Sequence, residues 1–417
     1  MGTRCSSCPA RWRVLHRQRS KMNNVSPLAT PDPIVAPPRV WIERLQLSQF
    51  RSYAALDVWL GPEPIVLSGP NGAGKTNLLE AVSLLAPGPG LRRADYADMA
   101  RSGAGADWTV SALVRSGQTS VRLGTSAGPR KTDGSAASGR IVRIEGENRA
   151  PAALAEHLEI LWLTPAMDGL FTGPASDRRR FLDKLIAGFD PAYRTRIGHF
   201  ERAMRQRNKA LEEQGTATSL LAGLEVQMAE LGVAIAAARL ETLAQLSASI
   251  AARKTASPRS PFPDAILALS GRLEEDLATR PALDVEDAYA RLLRDMRPRD
   301  RGAGRTLEGP HLSDMEVSHG PKKMPARLCS TGEQKALLIN LVLGHASLLT
   351  QRRNGAPPIL LLDEIAAHLD RDRRQALFSE LLGLGSQAWL TGTDLEPFFA
   401  LKSKAKFLEI RDGSVSV

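Results

Sequence analysis

Residues 65–76 read IVLSGPNGAGKT, a short apolar run followed by a glycine-rich loop that ends in Lys75 and Thr76. The segment from Gly69 to Thr76 matches the pattern of a phosphate-binding P-loop. The apolar run predicts a buried strand, and residues 77–85 predict an amphipathic helix. A strand, a loop and a helix in this order are the context that the motif requires. The stretch therefore predicts an α/β nucleotide-binding fold.

Each part of this loop has a physical role in holding a nucleotide. Glycines let the backbone wrap around a phosphate, so that its N–H groups and the helix N-terminus face the negative charge. Lys75 is expected to reach the β- and γ-phosphates, and Thr76 to offer its hydroxyl to Mg²⁺. We expect ATP to bind along the whole loop: Gly69, Pro70, Asn71, Gly72, Ala73, Gly74, Lys75 and Thr76.

A second apolar run, PILLLDE at residues 358–364, ends in two acids and resembles a Walker B strand. Asp363 is expected to hold Mg²⁺ together with Thr76, and Glu364 to orient or deprotonate the attacking water. Many buried strands end in an acid for structural reasons, but the P-loop upstream favours the functional interpretation. We therefore predict Lys75, Asp363 and Glu364 as the catalytic residues.

Residues 329–338, CSTGEQKALL, predict a serine-led loop that opens a helix shortly before the Walker B strand. An ordinary helix cap is one interpretation. The position favours an ABC signature loop, whose Ser330 and Gly332 would contact the γ-phosphate bound to a second copy, and this predicts an ATP-dependent homodimer. Asp370 resembles the D-loop of such ATPases, and Thr393 stands where transporter ATPases carry a switch histidine. Both are added to the predicted nucleotide site.

The composition is that of a globular cytoplasmic protein. Of 417 residues, 43% are hydrophobic and 24% charged, and we expect no membrane-spanning segment. The three cysteines, with Cys5 and Cys8 close together, do not have the spacing of a disulfide or zinc framework. The seven histidines show no ligand spacing, so Mg²⁺ is the only metal predicted.

The net charge of +10 is concentrated in residues 1–39, which are basic and rich in proline. A transit peptide is one interpretation of this segment. A disordered extension, or a start wrongly placed upstream of Met22, is the interpretation that we favour. The rest predicts an ABC-type P-loop ATPase head, a mixed sheet with helices, formed by residues 40–173 and 301–417. Residues 174–300 predict a smaller all-helical arm, for which a packed hairpin is favoured over a partner-binding coiled coil.

Beyond these motifs, the chain from about Val40 onward resembles the RecF family of bacterial recombination and replication-repair ATPases. The resemblance rests on Leu47–Tyr53, Asn77–Ala81, Leu163–Asp168, Asp177–Asp183 and Gly309–Asp314. Arg51 lies in the first of these segments and is included among the predicted nucleotide-binding residues. At Leu312 the family usually has arginine, so a contact carried by that position is not expected here.

The resemblance implies a protein that dimerises with ATP on gapped DNA or on single-/double-strand junctions, hydrolyses ATP slowly with stimulation by DNA, and works with RecO and RecR to load the recombinase RecA. Two basic clusters could neutralise backbone phosphates: Arg178 to Arg180, and Arg291, Arg294, Arg297, Arg299 and Arg301. Solvated helix faces are the alternative. No base-reading motif is visible, so DNA binding should not depend on sequence.

Three other kinds of protein could carry the same ATPase motifs. An SMC-type tether requires a coiled coil of hundreds of residues, and residues 174–300 are too few for one. A transporter subunit would have its P-loop and signature loop much closer together than Thr76 and Ser330. A nucleotide-binding module without turnover is disfavoured by the intact Lys75 and Glu364.

Overall fold

The computed structural model describes residues 39–103, 107–128, 139–213 and 217–416. The predicted extension at residues 1–39 lies, apart from its last residue, outside the described part of the chain, as do Cys5 and Cys8. The domain boundaries at residues 174 and 300 stay predictions.

The strands are β1 Val40–Phe50, β2 Tyr53–Trp59, β3 Ile65–Ser68, β4 Thr109–Ser116, β5 Thr119–Ala127, β6 Arg140–Ile144, β7 Glu147–Arg149, β8 Ile160–Leu163, β9 Ala265–Ser270, β10 Asp314–His319, β11 Met324–Pro325, β12 Ile359–Leu362, β13 Ala388–Gly392, β14 Lys406–Arg411 and β15 Ser414–Ser416. The α-helices are α1 Lys75–Ser83, α2 Ala175–Ala187, α3 Tyr193–Glu212, α4 Thr218–Ala256, α5 Arg272–Leu277, α6 Ala282–Asp295, α7 Arg297–Ala303, α8 Thr331–Arg352 and α9 Arg371–Leu384.

A mixed six-stranded sheet in the order β15-β14-β3-β13-β12-β8 forms the centre of the head. All its neighbours pair in parallel except β14 and β15. A second six-stranded sheet, β2-β1-β4-β5-β6-β7, is antiparallel throughout. Because the parallel strands share one direction, the segments that follow β3, β12 and β13 meet at the same edge of the central sheet.

Two hydrophobic cores cover the two faces of the central sheet. Leu360 and Leu362 belong to the core shared with α2, α4 and α8, whereas Leu361 belongs to the core shared with α1 and the antiparallel sheet. Successive side chains of a strand point to opposite faces. Burial on both faces explains why residues 65–67 and 359–362 read as uninterrupted apolar runs.

Helix α4 was not anticipated as a membrane candidate, yet in length and apolar composition it could span a bilayer. Half of the qualifying window is buried in the protein, and α4 packs against α3, α6 and α8. Its Glu225 and Arg239 are nearly inaccessible and form ion pairs inside the protein. The apolar character of α4 is therefore that of a core helix, and its packing on α3 agrees with the predicted packed hairpin.

One element departs from the all-helical arm predicted for residues 174–300. Residues 265–270 form β9, which pairs antiparallel with β10 from Ala265 against His319 to Ser270 against Asp314. The segment AILALS contains mostly residues that also favour helices, so local propensity does not identify it. Pairing with a distant strand decides its conformation.

Candidate nucleotide-binding site

The glycine-rich loop connects β3 to α1, as the sequence predicted. Gly69, Gly72 and Gly74 have φ angles of 145°, 83° and 114°, a region that other residues rarely adopt. A Cβ at Gly69 would overlap the carbonyl oxygen of Ile410, and one at Gly74 would lie 2.7 Å from Ser52 Oγ. The loop conformation therefore requires glycine both for its backbone angles and for its close neighbours.

Lys75 reaches back across this loop. Its Nζ donates hydrogen bonds to the carbonyl oxygens of Gly69, at 2.6 Å, and Pro70, at 2.9 Å. Burial lowers the pKa of Lys75, and the negative charges of Glu364 and Asp363 act in the opposite direction. The ammonium group therefore lies within electrostatic range of both Walker B acids without forming an ion pair with either in the described part of the chain.

Two hydroxyl groups hold the carboxylate of Asp363, which follows β12. Thr76 Oγ1 donates to Asp363 Oδ1 at 3.2 Å, and Thr391 Oγ1 donates to the same oxygen at 2.8 Å. Burial raises the pKa of Asp363, and the two hydrogen bonds oppose that shift. The structure thus brings together the two predicted Mg²⁺ ligands, Thr76 and Asp363, from opposite ends of the chain.

This pair of oxygen donors fits Mg²⁺, which prefers hard oxygen ligands and usually takes the rest of its shell from water and substrate phosphates. Within residues 39–103, 107–128, 139–213 and 217–416, no group of three His, Cys, Asp or Glu side chains could form a metal cage by itself. A metal at Thr76 and Asp363 would therefore have to share the phosphates of the nucleotide.

Glu364 has a left-handed backbone, with φ 53°, and precedes the 3₁₀ turn Ile365–His368. This conformation costs a residue with a side chain roughly 1–2 kcal/mol. The backbone N–H of Glu364 donates to Thr391 Oγ1 at 2.8 Å, which helps to hold the turn. Thr391 therefore links both Walker B acids, binding the carboxylate of Asp363 and the backbone of Glu364.

The hairpin between β1 and β2 packs against the P-loop and α1. Tyr53 Oη donates to the carbonyl oxygen of Gly74 at 3.0 Å. Arg51 forms two hydrogen bonds of 2.9 Å with the buried carboxylate of Glu80 and one of 2.6 Å with the carbonyl oxygen of Asp98. Arg51, in the turn between β1 and β2, thus lies against α1 and donates its guanidinium hydrogen bonds to acceptors of the protein. Its contact with a nucleotide stays a prediction.

Ser330 begins α8 through a capping box. Its N–H and its hydroxyl both donate to Glu333 Oε2, at 3.0 and 2.9 Å. An ion pair with Lys322, followed by these hydrogen bonds from Ser330, lowers the pKa of Glu333 to about 2. Ser330 is exposed, so the capped helix N-terminus faces solvent. The helix-cap interpretation is confirmed locally, and the contact with a second nucleotide stays a prediction.

Asp370, in the predicted D-loop, caps α9, its Oδ1 accepting from the N–H of Arg373 at 2.8 Å. The Arg373 side chain also donates to the carbonyl oxygen of Gly332 at 3.4 Å, which connects the D-loop to the signature loop. Thr393 is exposed beyond β13, and its hydroxyl donates to Asp394 Oδ2 at 2.9 Å. The hydrogen bond to the adjacent Asp394 is therefore the side-chain contact that the described chain gives for Thr393.

Sequence reasoning missed Thr391 and Arg373. Thr391 gave a usable signal, because it is the one hydroxyl in the otherwise apolar strand AWLTG and lies just before its end. Arg373 is one of several basic residues at the start of α9 and gave none. Their roles depend on side chains that approach from other elements.

The first basic cluster has internal partners that neither interpretation of it anticipated. Arg178 forms paired hydrogen bonds of 2.8 and 2.7 Å with Asp314, and Arg179 donates to the carbonyl oxygen of Ser313 at 2.7 Å. In the second cluster, Arg297 pairs with Glu225 at 2.8 and 2.6 Å. The side chains of these three arginines are therefore occupied within the protein, and Arg178 and Arg179 attach α2 to the first residue of β10 and to the residue before it.

Comparisons with known proteins identify the family of the chain. A family model described as the RecF/RecN/SMC N terminal domain matches residues 41–391. The chain is 51% identical to a DNA replication and repair protein RecF of Mesorhizobium japonicum, with 91% of this chain and 98% of the relative covered. It is 52% identical to the corresponding protein of Rhizobium johnstonii, with 91% and 99% covered.

Two solved structures show the fold. A recombination mediator protein RecF with ATP, from the RecFOR pathway, superposes with a TM-score of 0.77 at 22% identity and covers 92% of this chain and 99% of its own. An SMC head bound to the winged-helix domain of ScpA superposes with a TM-score of 0.51 at 16% identity, with 90% and 96% covered.

The P-loop after β3 and the two acids after β12 lie at one edge of a mixed sheet, and α8 begins with a serine cap. Together with the family match, these features define the class: a head of the ABC-type ATPases that include RecF and SMC proteins. Within that class, the family follows from the sequence relatives, which share about half of their residues with this chain over nearly its whole length. The chain belongs to the RecF family of DNA replication and repair proteins.

Proposed function

We propose that this chain is an ATP-dependent DNA-binding protein of recombinational repair and replication maintenance, in which ATP drives dimerisation on gapped or junction DNA. The observation that carries the proposal is the cluster of Thr76, Asp363 and Thr391 beside Glu364 and opposite Lys75. The solved RecF relative with ATP supports the choice of nucleotide. Its RecFOR pathway supports cooperation with RecO and RecR in loading RecA, in the cytoplasm.

In the proposed mechanism, the P-loop N–H groups and Lys75 bind the phosphates, and Thr76 and Asp363 would hold Mg²⁺. When bound, Mg²⁺ neutralises charge that develops on the phosphate oxygens. Asp363 is kept in place by Thr391, so that it is oriented before the metal arrives. Glu364 orients or deprotonates the attacking water. The hydrogen bond from its backbone N–H to Thr391 fixes the direction from which its side chain acts.

The proposed dimer uses the exposed end of α8. Ser330 and Gly332 lie at a helix N-terminus, which favours negative charge through its free N–H groups and the helix dipole. A symmetric dimer can place this end of each copy over the nucleotide of the other. ATP binding then closes the dimer on DNA, and slow hydrolysis, stimulated by DNA, reopens it.

Light scattering with and without gapped DNA tests this switch on the wild type and on Lys75→Met, Ser330→Arg and Glu364→Gln. We expect ATP to dimerise the wild type, and Lys75→Met and Ser330→Arg to stay monomeric. Glu364→Gln should hold a DNA-bound dimer while its turnover falls roughly 10²-fold or more. If all four proteins behave alike, the composite-site mechanism is wrong for this chain.

A further inference from the structure

Three basic side chains from three separate segments lie around one carboxylate, that of Glu159 just before β8: Lys184, Arg194 and Arg353. Arg93, from a fourth segment, lies within electrostatic range of Lys184 and Arg194. Arg353 Nη1 is 3.9 Å from Glu159 Oε1. A Cβ at Gly188 would lie 3.7 Å from Glu159 Oε2, which places the carboxylate beside the end of α2. Lys184 lies one helical turn before Gly188 and so shares its face of the helix.

Three of these basic residues make up what we call the α2–α3 basic patch: the exposed Arg93 and Arg194, and the half-buried Lys184, whose charge is weakened by its lowered pKa. Lys184 Nζ lies 2.9 Å from the centre of the Trp162 ring in β8. Arg194, at the start of α3, reaches the turn at Gly88, where a Cβ would lie 3.0 Å from its Nη1. The chain that leaves this turn carries Arg93, and both arginines are exposed.

Glu159 is the carboxylate that acts on Lys184 and Arg194, and it does so without a direct contact to either in the described part of the chain. Within the described residues, none of its three cations forms a hydrogen bond or an ion pair, whereas Arg178 and Arg239 each bind a carboxylate through two nitrogens. Burial lowers the pKa of Lys184 well below its ordinary value, and the charges of Arg194 and Arg93 lower it further. Burial also raises the pKa of Glu159 to about 7, while the charges of Arg353, Arg194 and Lys184 act in the opposite direction.

Like charges brought together without directly paired counter-charges cost free energy, and they create a local field that attracts anions. The field here comes from groups on different elements, two of which are exposed arginines. Arginine presents a planar fork of donors that matches phosphate oxygens. An extended surface of this kind suits successive phosphates of one polyanion better than a single small ion.

We propose that the α2–α3 basic patch binds backbone phosphates of DNA. The inference rests on the proposed DNA-binding function and names the surface that carries it. The patch also lies close to the nucleotide site, because the neighbouring Arg92 donates to Asn77 Oδ1 at 2.8 Å and pairs with Glu80 at 3.3 Å, both on α1. Phosphates held at Arg93 would thus be one residue from a contact to the P-loop helix.

The test measures binding of a labelled gapped DNA by fluorescence anisotropy, with Mg²⁺ and ATP, over a series of salt concentrations. The triple variant Arg93→Gln, Lys184→Gln, Arg194→Gln should bind roughly 10- to 100-fold more weakly. The slope of log K against log salt should become shallower by about 2–3, near 0.9 for each lost phosphate contact. The matched control neutralises three exposed arginines, Arg202, Arg259 and Arg305, and should bind like the wild type.

Because Lys184 is packed on Trp162, the triple variant could fail to fold for that reason alone. The double variant Arg93→Gln, Arg194→Gln then takes its place, and it should show about two-thirds of the slope change expected for the triple variant. If the wild type fails to bind DNA, the proposed function fails. If the wild type binds DNA and the patch variants bind it equally well, the patch inference alone is wrong. Loss of inorganic pyrophosphate binding with unchanged DNA affinity would identify a small-anion site and also overturn it.

Discussion

Charged groups are buried in two regions of the molecule and are satisfied in different ways. In the arm, Arg207 is fully buried and pairs with Asp300 at 2.7 Å and Glu225 at 3.2 Å. At the nucleotide site, Lys75 and Asp363 are almost as deeply buried but contact only carbonyls and hydroxyls. The buried charges of the arm are neutralised by ion pairs within the protein. Those of the nucleotide site have only neutral partners, as expected of groups that bind a charged ligand.

The difference teaches how to separate structural from functional charge. A buried ion pair contributes little net stability, but removing one partner leaves an uncompensated charge. The Arg207 network joins α3, α4 and the region around α7, so its value lies in fixing those elements together. Side chains that contact only weak, neutral partners in a cleft are better candidates for chemistry.

The substitution that should reduce stability most is Arg207→Met, which leaves Glu225 and Asp300 buried beside an apolar side chain. We expect the free energy of unfolding to fall by about 3–5 kcal/mol. Urea unfolding followed by circular dichroism measures it. ATP turnover for each folded molecule should stay near the wild-type value, because the network does not touch the nucleotide site. An equal loss of turnover in the folded fraction would contradict the division into two kinds of charge.

Thr391→Val tests the nucleotide region, because it removes the hydroxyl that links Asp363 to the backbone of Glu364. We expect turnover to fall roughly 10-fold or more, with a smaller change in ATP affinity, and stability to fall by about 1–3 kcal/mol from the unsatisfied groups. Single-turnover kinetics and nucleotide titration separate the two effects. Thr391→Ser keeps the hydroxyl and should restore most of the rate, and a variant pair with equal rates would exclude this positioning role.

A smaller effect is expected at the predicted signature loop, where Glu333 completes the capping box of α8. Lys322 and Ser330 lower the pKa of Glu333 from 4.5 to about 2, so its carboxylate stabilises the folded state above pH 4.5 and loses this contribution as the pH falls toward 2. The Tm difference between wild type and Glu333→Gln should therefore be largest near neutral pH and shrink between about pH 4.5 and 3. A difference that is constant over this range would show that the ionised capping box contributes nothing.

The parts of the fold that depend on local patterns were predictable. Residues 65–76 and 358–364 identify themselves because burial on both faces of a strand leaves an apolar run, and the glycine loop needs special backbone angles. Strand β9 and the partners of Arg178 were not predictable, since each depends on a segment distant in sequence. Thr391 lies between these cases, with a visible hydroxyl but a role that only the folded neighbours reveal.

The clamping of β12 between two cores has a mechanical consequence. Leu361 and Leu362 anchor the strand in opposite directions, so Asp363 is carried by a stiff support, whereas Ser330 and Asp370 lie on exposed helix caps. Close-packed interiors resist continuous deformation. We therefore expect the head to move as a rigid body, with the edge that carries Asp363 already formed and the adjustments confined to the two caps.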